Sequence, residues 1–179
     1  MRRAPALRLL PLLALVLAAG GCRRQLPETR FLNFDPESSS GALAGGFSGF
    51  EKTGAADTYA WAQARTAKVR VLAGPPADRL VRFRAWPFRW EGAPPQAVTL
   101  SVNDVRLATF TMGDGPQVYS ASSPGPAWKP GENVLVLEFG YAEAPKDRIP
   151  GAGDTRTLAA ALDWVEILPL AGGAGPSLP

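Results

Sequence analysis

Residues 80–112 read LVRFRAWPFRWEGAPPQAVTLSVNDVRLATFTM. Within them Val81, Phe83 and Ala85 alternate with Leu80, Arg82 and Arg84. Val98, Leu100 and Val102 alternate with Thr99, Ser101 and Asn103, and Ala108, Phe110 and Met112 with Thr109 and Thr111. A period of two, carried by β-branched and aromatic residues and cut by Gly, Pro, Asn and Asp, is the pattern of half-buried antiparallel strands. The stretch therefore predicts a β-sheet, with Asn103-Asp104 as a tight turn because both residues tolerate left-handed backbone.

Working outward, the same grammar recurs. Thr58–Arg65 sets Tyr59, Trp61 and Gln63 against three alanines, and Lys68–Ala73 sets Val69 and Val71 against Lys68 and Arg70. Arg30–Phe34 reads as a first strand, ended by Asp35-Pro36. The segment SSSGALAGG at 38–46 reads as an irregular connection, and GFSGFE from Gly46 opens the dense part of the chain. Gln117–Ala121 is a short strand. Asn133–Tyr141 is apolar on both faces, as a central strand requires. Residues 144–155 form a rim loop. Residues 157–168, TLAAALDWVEIL, carry helical propensity in their first half and strand character in their second, and are read as the closing strand. Eight or nine short strands spaced by about ten residues predict an all-β, antiparallel β-sandwich of jelly-roll type.

Composition supports this class. Nineteen Gly and 18 Pro among 179 residues are too many for a helical protein, while 46% hydrophobic residues suffice for one core. Lys and Arg number 19 and Asp and Glu 16. Three of the arginines, Arg2, Arg3 and Arg8, precede residue 22, so the rest of the chain balances at 16 of each sign. Charges of both signs are interspersed, which argues against a nucleic-acid partner. With no His and a single Cys, an intrachain disulfide, a Cys₂His₂ zinc site and His-dependent triads are excluded.

The amino terminus reads as an address. MRRAPALR is a positive n-region, and LLPLLALVLAA is an apolar run too short for an ordinary membrane-spanning helix. AGG then precedes Cys22. Small residues directly before a cysteine resemble the lipobox of bacterial lipoproteins, with Ala19 where Leu is usual. The resemblance implies a signal peptide over 1–21, acylation at Cys22 and a lipidated tether over 22–28. Acyl chains hold a protein to a bilayer at about 0.8 kcal/mol per buried methylene, so the membrane becomes a partner. Arg23 rather than Asp after Cys22 implies the outer membrane, facing the periplasm or the cell surface. The sandwich domain is then expected over 29–168 and a disordered Gly/Pro tail over 169–179.

From Gly46 to Leu168 the order GFSGFE, TYAWAQARTAKVRV, LVRFRAWPF, PPQAVTLSVND, LATFTM, WKPGENVLVLEF and ALDWVEI is similar to galactose-binding-like β-sandwich domains, such as the accessory domains of bacterial sulfatases and membrane glycosyltransferases. The C/S-x-P-x-R setting of the sulfatase nucleophile is missing, since Cys22 is followed by Arg-Arg-Gln-Leu. The resemblance thus implies a non-catalytic companion. The turn Pro130-Gly131-Glu132-Asn133 is explained by structure alone: Pro fixes φ, Gly takes positive φ, and Asn bonds nearby backbone.

Candidate ligand-binding residues are Tyr59, Trp61, Trp86 and Trp90, whose faces could stack on sugar C–H faces. Arg82, Arg84 and Arg89 could hydrogen-bond hydroxyls or anions. The competing reading is core packing for at least two of the aromatics and a solvated face for the arginines. Asp163-Trp164 could bind a cation, but no compact acidic cluster supplies the six or so oxygens calcium needs; Asp104, Asp114, Asp147 and Asp154 fall in turns. No metal or cofactor is expected. The expectation is a non-catalytic, lipid-anchored envelope sandwich holding a carbohydrate or an envelope partner, with exposed aromatics beside Arg82 and Arg84. The alternatives are a structural lipoprotein contacting another protein, with those aromatics buried, and a glycoside hydrolase using two of Glu51, Glu91, Asp163 and Glu166.

Overall fold

The computed structural model describes residues 27–53 and 57–170. The expected signal peptide, Cys22, most of its tether and nearly all of the tail lie outside the described residues. In chain order the elements are β1 (Phe31–Asn33), α1 (Pro36–Ser39), β2 (Leu43–Gly45), β3 (Phe47–Thr53), β4 (Asp57–Ala62), β5 (Thr66–Ala73), β6 (Arg79–Pro87), β7 (Ala97–Val102), β8 (Val105–Thr111), β9 (Gln117–Ser123), β10 (Gly131–Phe139), α2 (Pro145–Arg148) and β11 (Ala160–Pro169). Sheet A runs β3-β4-β11-β6-β9, with β1 pairing β11 as well, and sheet B runs β2-β5-β10-β7-β8. All these pairings are antiparallel. From β4 onward the chain crosses between sheets at almost every connection, and that wrapping produces the jelly-roll sandwich the alternation predicted.

The core lies between the sheets. Val81, Phe83 and Ala85 of β6 face inward together with Val98, Leu100 and Val102 of β7 and with Leu135, Leu137 and Phe139 of β10. Phe83 stacks on Tyr119 at 5.3 Å between centroids and meets Phe110 edge-on at 6.0 Å. Each such side chain contributes about 1.5–3 kcal/mol when fully buried. Strand β10 sits between β5 and β7, the central place its two-sided apolar pattern required.

Three local expectations change. The segment 38–46 is partly ordered: Asp35 accepts the Ser38 N–H and caps α1, and Leu43–Gly45 forms the edge strand β2. That bond holds the Asp35 carboxyl below its usual range. Short strands here and at β3 raise the number among the described residues to eleven, because glycine-rich edge strands lack the alternation that makes strands legible. The 144–155 loop contains the one-turn helix α2, which includes Asp147. The closing strand, by contrast, forms as read, over Ala160–Pro169, with a register shift between Leu162 and Trp164. That bulge at Asp163 lets Ala160 and Leu162 before it, and Val165 and Ile167 after it, all reach the core.

Two asparagines lock one end of sheet B. Asn103 takes φ +51° in the β7–β8 turn and Gly131 takes φ +91°. The Asn133 amide donates to Lys129 O (2.8 Å) and Gly131 O (2.9 Å), while its oxygen accepts from Lys129 N and from Asn103 Nδ2 at 3.0 Å each. Asn133 is fully buried. Asn133→Ala strands several buried donors and acceptors, so urea unfolding should show a loss of about 2–4 kcal/mol; a loss below about 1 kcal/mol would mean these groups find other partners.

Candidate functional site

The outer face of sheet A carries the expected residues. On β6 the side chains opposite the core are Arg82, Arg84 and Trp86. On β4, Tyr59 and Trp61 stand opposite the buried Ala60 and Ala62. Register places Trp61 and Trp86 on either side of Ala161 of β11. Ala161 faces away from the core yet is fully buried.

The rings form one continuous row. Trp86 meets Tyr59 at 5.1 Å, Tyr59 meets Trp61 at 6.0 Å, and Trp61 meets Phe88 at 6.3 Å. Phe88 then meets Trp90 at 5.6 Å and Trp90 meets Tyr141 at 5.0 Å. Most contacts are edge-to-face, the arrangement favoured by ring quadrupoles. Tyr59 and Phe88 are buried within the row, while Trp61, Trp86, Trp90 and Tyr141 are half-buried. Of the four aromatics expected from the sequence, only Tyr59 is buried, and it lies among the rings of the row rather than in the core cluster. Buried rings brace the row, and half-buried ones present ring surface to solvent.

Gln96 holds the far end of the row in place. It is fully buried, donates to Tyr141 O (2.9 Å) and Ala159 O (3.1 Å), and accepts from Tyr141 N (3.1 Å). The Tyr141 hydroxyl donates to Phe88 O at 2.7 Å.

Charges border the row as ion pairs. Arg82 donates to Glu166 at 2.7 Å and lies 5.9 Å from the Trp164 ring, a cation–π distance. Arg84 donates to Asp163, a nearly buried carboxylate at the bulge. Arg156 bridges Asp154 (2.7 Å) and Glu51 (2.5 Å), and Glu51 accepts the Tyr59 hydroxyl at 3.3 Å. Arg148 pairs with Glu143 at 3.0 Å and stands 5.2 Å from the Trp90 ring. Arg89 joins the Tyr141 end, bonding Pro94 O (3.1 Å) and Asp114 (3.3 Å).

Of the residues expected from the sequence, Tyr59, Trp61 and Trp86 touch one another, Trp90 joins them through Phe88, Arg82 and Arg84 share their face, and Arg89 stands at the Tyr141 end. Phe88, Tyr141, Trp164 and Phe31 were missed as members of this face. Phe88 was legible, since Trp86, Phe88 and Trp90 fall at every second position. Phe31 packs on Trp164 at 5.8 Å through pairing of β1 with β11, which nothing in the local sequence announces.

Burial raises the pKa of Tyr59 above the ordinary 10.0, with the neighbouring Glu51 adding to it, and burial raises that of Tyr141. A raised value in the fold favours the neutral phenol. Its contribution to stability is thus complete below pH 10 and is lost as pH rises through the raised value. Alkaline titration of tyrosinate absorbance should show both phenols ionising above the free amino acid; ionisation at the free value would mean that the row is open to water.

The carboxylates considered for hydrolysis are dispersed among these pairs: Asp163 with Arg84, Glu166 with Arg82, Glu51 with Arg156, and Glu91 exposed in a turn. Among the described residues no group of three or more His, Cys, Asp or Glu could hold a metal ion, and no helix is long and apolar enough to cross a membrane. A wide groove of about 740 Å³ lies against sheet B, bounded by Lys68, Arg70, Lys129 and Glu132 over Val134 and Val136. Its one aromatic, Trp128, is itself buried in the core cluster. Despite its volume, the groove presents no exposed aromatic face, and the row on sheet A does.

No protein-family model matches this sequence, and no curated protein matches it. Solved structures of similar shape include the C-terminal CBM6 of LamC, a marine laminarinase from Zobellia galactanivorans, at 9% identity and TM-score 0.47 over 77% of this chain and 98% of that one. Another is the CBM36-1 domain of a multidomain xylanase from the hindgut metagenome of Trinervitermes trinervoides, at 17% and 0.46 over 83% and 99%. A third is a family 35 carbohydrate binding module from an environmental isolate, at 19% and 0.37 over 80% and 91%. All three are carbohydrate-binding modules by description.

Proposed function

We propose that this protein is a non-catalytic carbohydrate-binding sandwich, held to the bacterial envelope by lipid on Cys22, that grips a glycan on the outer face of sheet A. The observation carrying this reading is the row of six touching rings bordered by arginine–carboxylate pairs. Half-buried indoles stack on sugar rings, and a guanidinium beside a carboxylate matches the donors and acceptors of sugar hydroxyls. Asp163, Glu166 and Glu51 are each paired with an arginine and Glu91 is exposed in a turn, which supports binding rather than hydrolysis.

A glycan array probed with residues 23–179 tests the grip. Binding to at least one saccharide class supports the reading, and silence across neutral and acidic sugars overturns it. The anchor is tested separately: in bacterial cells fed radiolabelled palmitate the full-length protein should take up label and Cys22→Ser should not. Equal labelling of the two, or none in either, would remove the lipid from the proposal.

One observation favours docking of another protein instead. Phe31 is 56% exposed beside Trp164, on the same face of sheet A. A partner seated there would be lost on Phe31→Ser, with glycan binding through Trp86 kept.

A further inference from the structure

We propose, building on the glycan-binding reading above, that the site selects a neutral oligosaccharide over an acidic one. Five arginines border the aromatic row, and each is already matched by a carboxylate: Arg82 by Glu166, Arg84 by Asp163, Arg156 by Glu51 and Asp154, Arg148 by Glu143, and Arg89 by Asp114. With six carboxylates against five arginines, these pairs leave no excess positive charge on the face.

The chemistry of such pairs sets the selectivity. A guanidinium has five N–H donors and a carboxylate has about four lone-pair sites, so Arg82 and Glu166, joined through Nη1 and Oε2 at 2.7 Å, keep donors and acceptors for a ligand. Adjacent sugar hydroxyls both donate and accept, and can use both partners at once. A uronate or sulfate can use the guanidinium alone. It meets the partner carboxylate at close range, where like charges repel, or must displace it and leave a carboxylate without its cation. At Asp163 that cost is highest, because its side chain is only 7% exposed.

The aromatic row sets the length. Successive rings stand 5.0–6.3 Å apart, and the half-buried ones lie at both ends of the row as well as within it. More than one sugar unit can therefore stack, and affinity should rise with chain length until the row is covered.

The test is isothermal titration of residues 23–179 with neutral gluco-, manno- and xylo-oligosaccharides of increasing length, beside oligogalacturonates and a sulfated oligosaccharide. The neutral series should gain about tenfold in affinity or more from monosaccharide to the longest chain. Its Kd should stay flat from roughly 50 to 500 mM NaCl, since no ion pair forms with the ligand. Glu166→Gln leaves the Arg82 charge uncompensated and should raise affinity for the acidic chains about fivefold or more, in a salt-sensitive way. Asp163→Asn is the second variant, acting through Arg84, should the first fail to fold. Tighter binding of acidic chains by the parent protein would overturn the proposed selectivity while leaving the glycan site standing. Absence of binding to every chain would overturn the glycan site itself, and the selectivity with it.

Discussion

Trp86→Ala is expected to abolish measurable glycan binding, a loss of about 30-fold or more, corresponding to the 2 kcal/mol or greater typical of a buried aromatic anchor. Trp86 sits next to the two arginine pairs on β6, touches Tyr59 at 5.1 Å, and keeps part of its ring in solvent. Truncation removes a stacking surface and unroofs Ala161, which the register holds between Trp86 and Trp61. Trp61→Ala should act in the same direction. Trp86→Phe preserves a ring and should restore part of the affinity, which separates stacking from damage to the fold. Unchanged affinity in Trp86→Ala, measured on the tightest saccharide of the array, would take the row out of the site.

Phe83→Ala should destabilise the domain by about 3–5 kcal/mol, the range for deleting a buried aromatic side chain. Phe83 is 1% exposed and lies against Tyr119 and Phe110, so the change empties the place where β6, β8 and β9 meet. Much of the void would persist, because interlocked neighbours on paired strands relax only partly. A mid-sized domain has about 5–15 kcal/mol in total, so the variant should be largely or marginally unfolded at 37 °C. Chemical denaturation checks it, and a loss under about 1.5 kcal/mol would show that the core can close over the gap.

These two substitutions sit three residues apart on one strand, and the difference between them is the lesson of β6. Odd positions build the core and even positions build the outer face, because successive side chains of a strand point to opposite sides. The alternation alone therefore separated Phe83 from Arg82, Arg84 and Trp86 before any neighbour was known. It could not say what covered each outer side chain. Tyr59 alternates as Trp61 does, yet Tyr59 is 9% exposed because Trp86, from a different strand, closes over it. The charges behave likewise. Arg82 lies 84 positions from Glu166 and Arg84 lies 79 from Asp163. A single free arginine and a paired one look the same in a sequence, though they favour ligands of different charge.

The sequence by itself determined the class of this protein: period-two patterning, turn chemistry such as Gly131 and Asn133, and the absence of histidine depend on each residue and its near neighbours. The order of strands in the two sheets, the bulge that places Asp163 beside Arg84, and the joining of Tyr141 to Trp90 were decided only by tertiary structure. Those features come from pairing between segments far apart in the chain, where burial and hydrogen bonding outweigh local preference. The helical leaning of residues 160–162 gave way to strand for that reason.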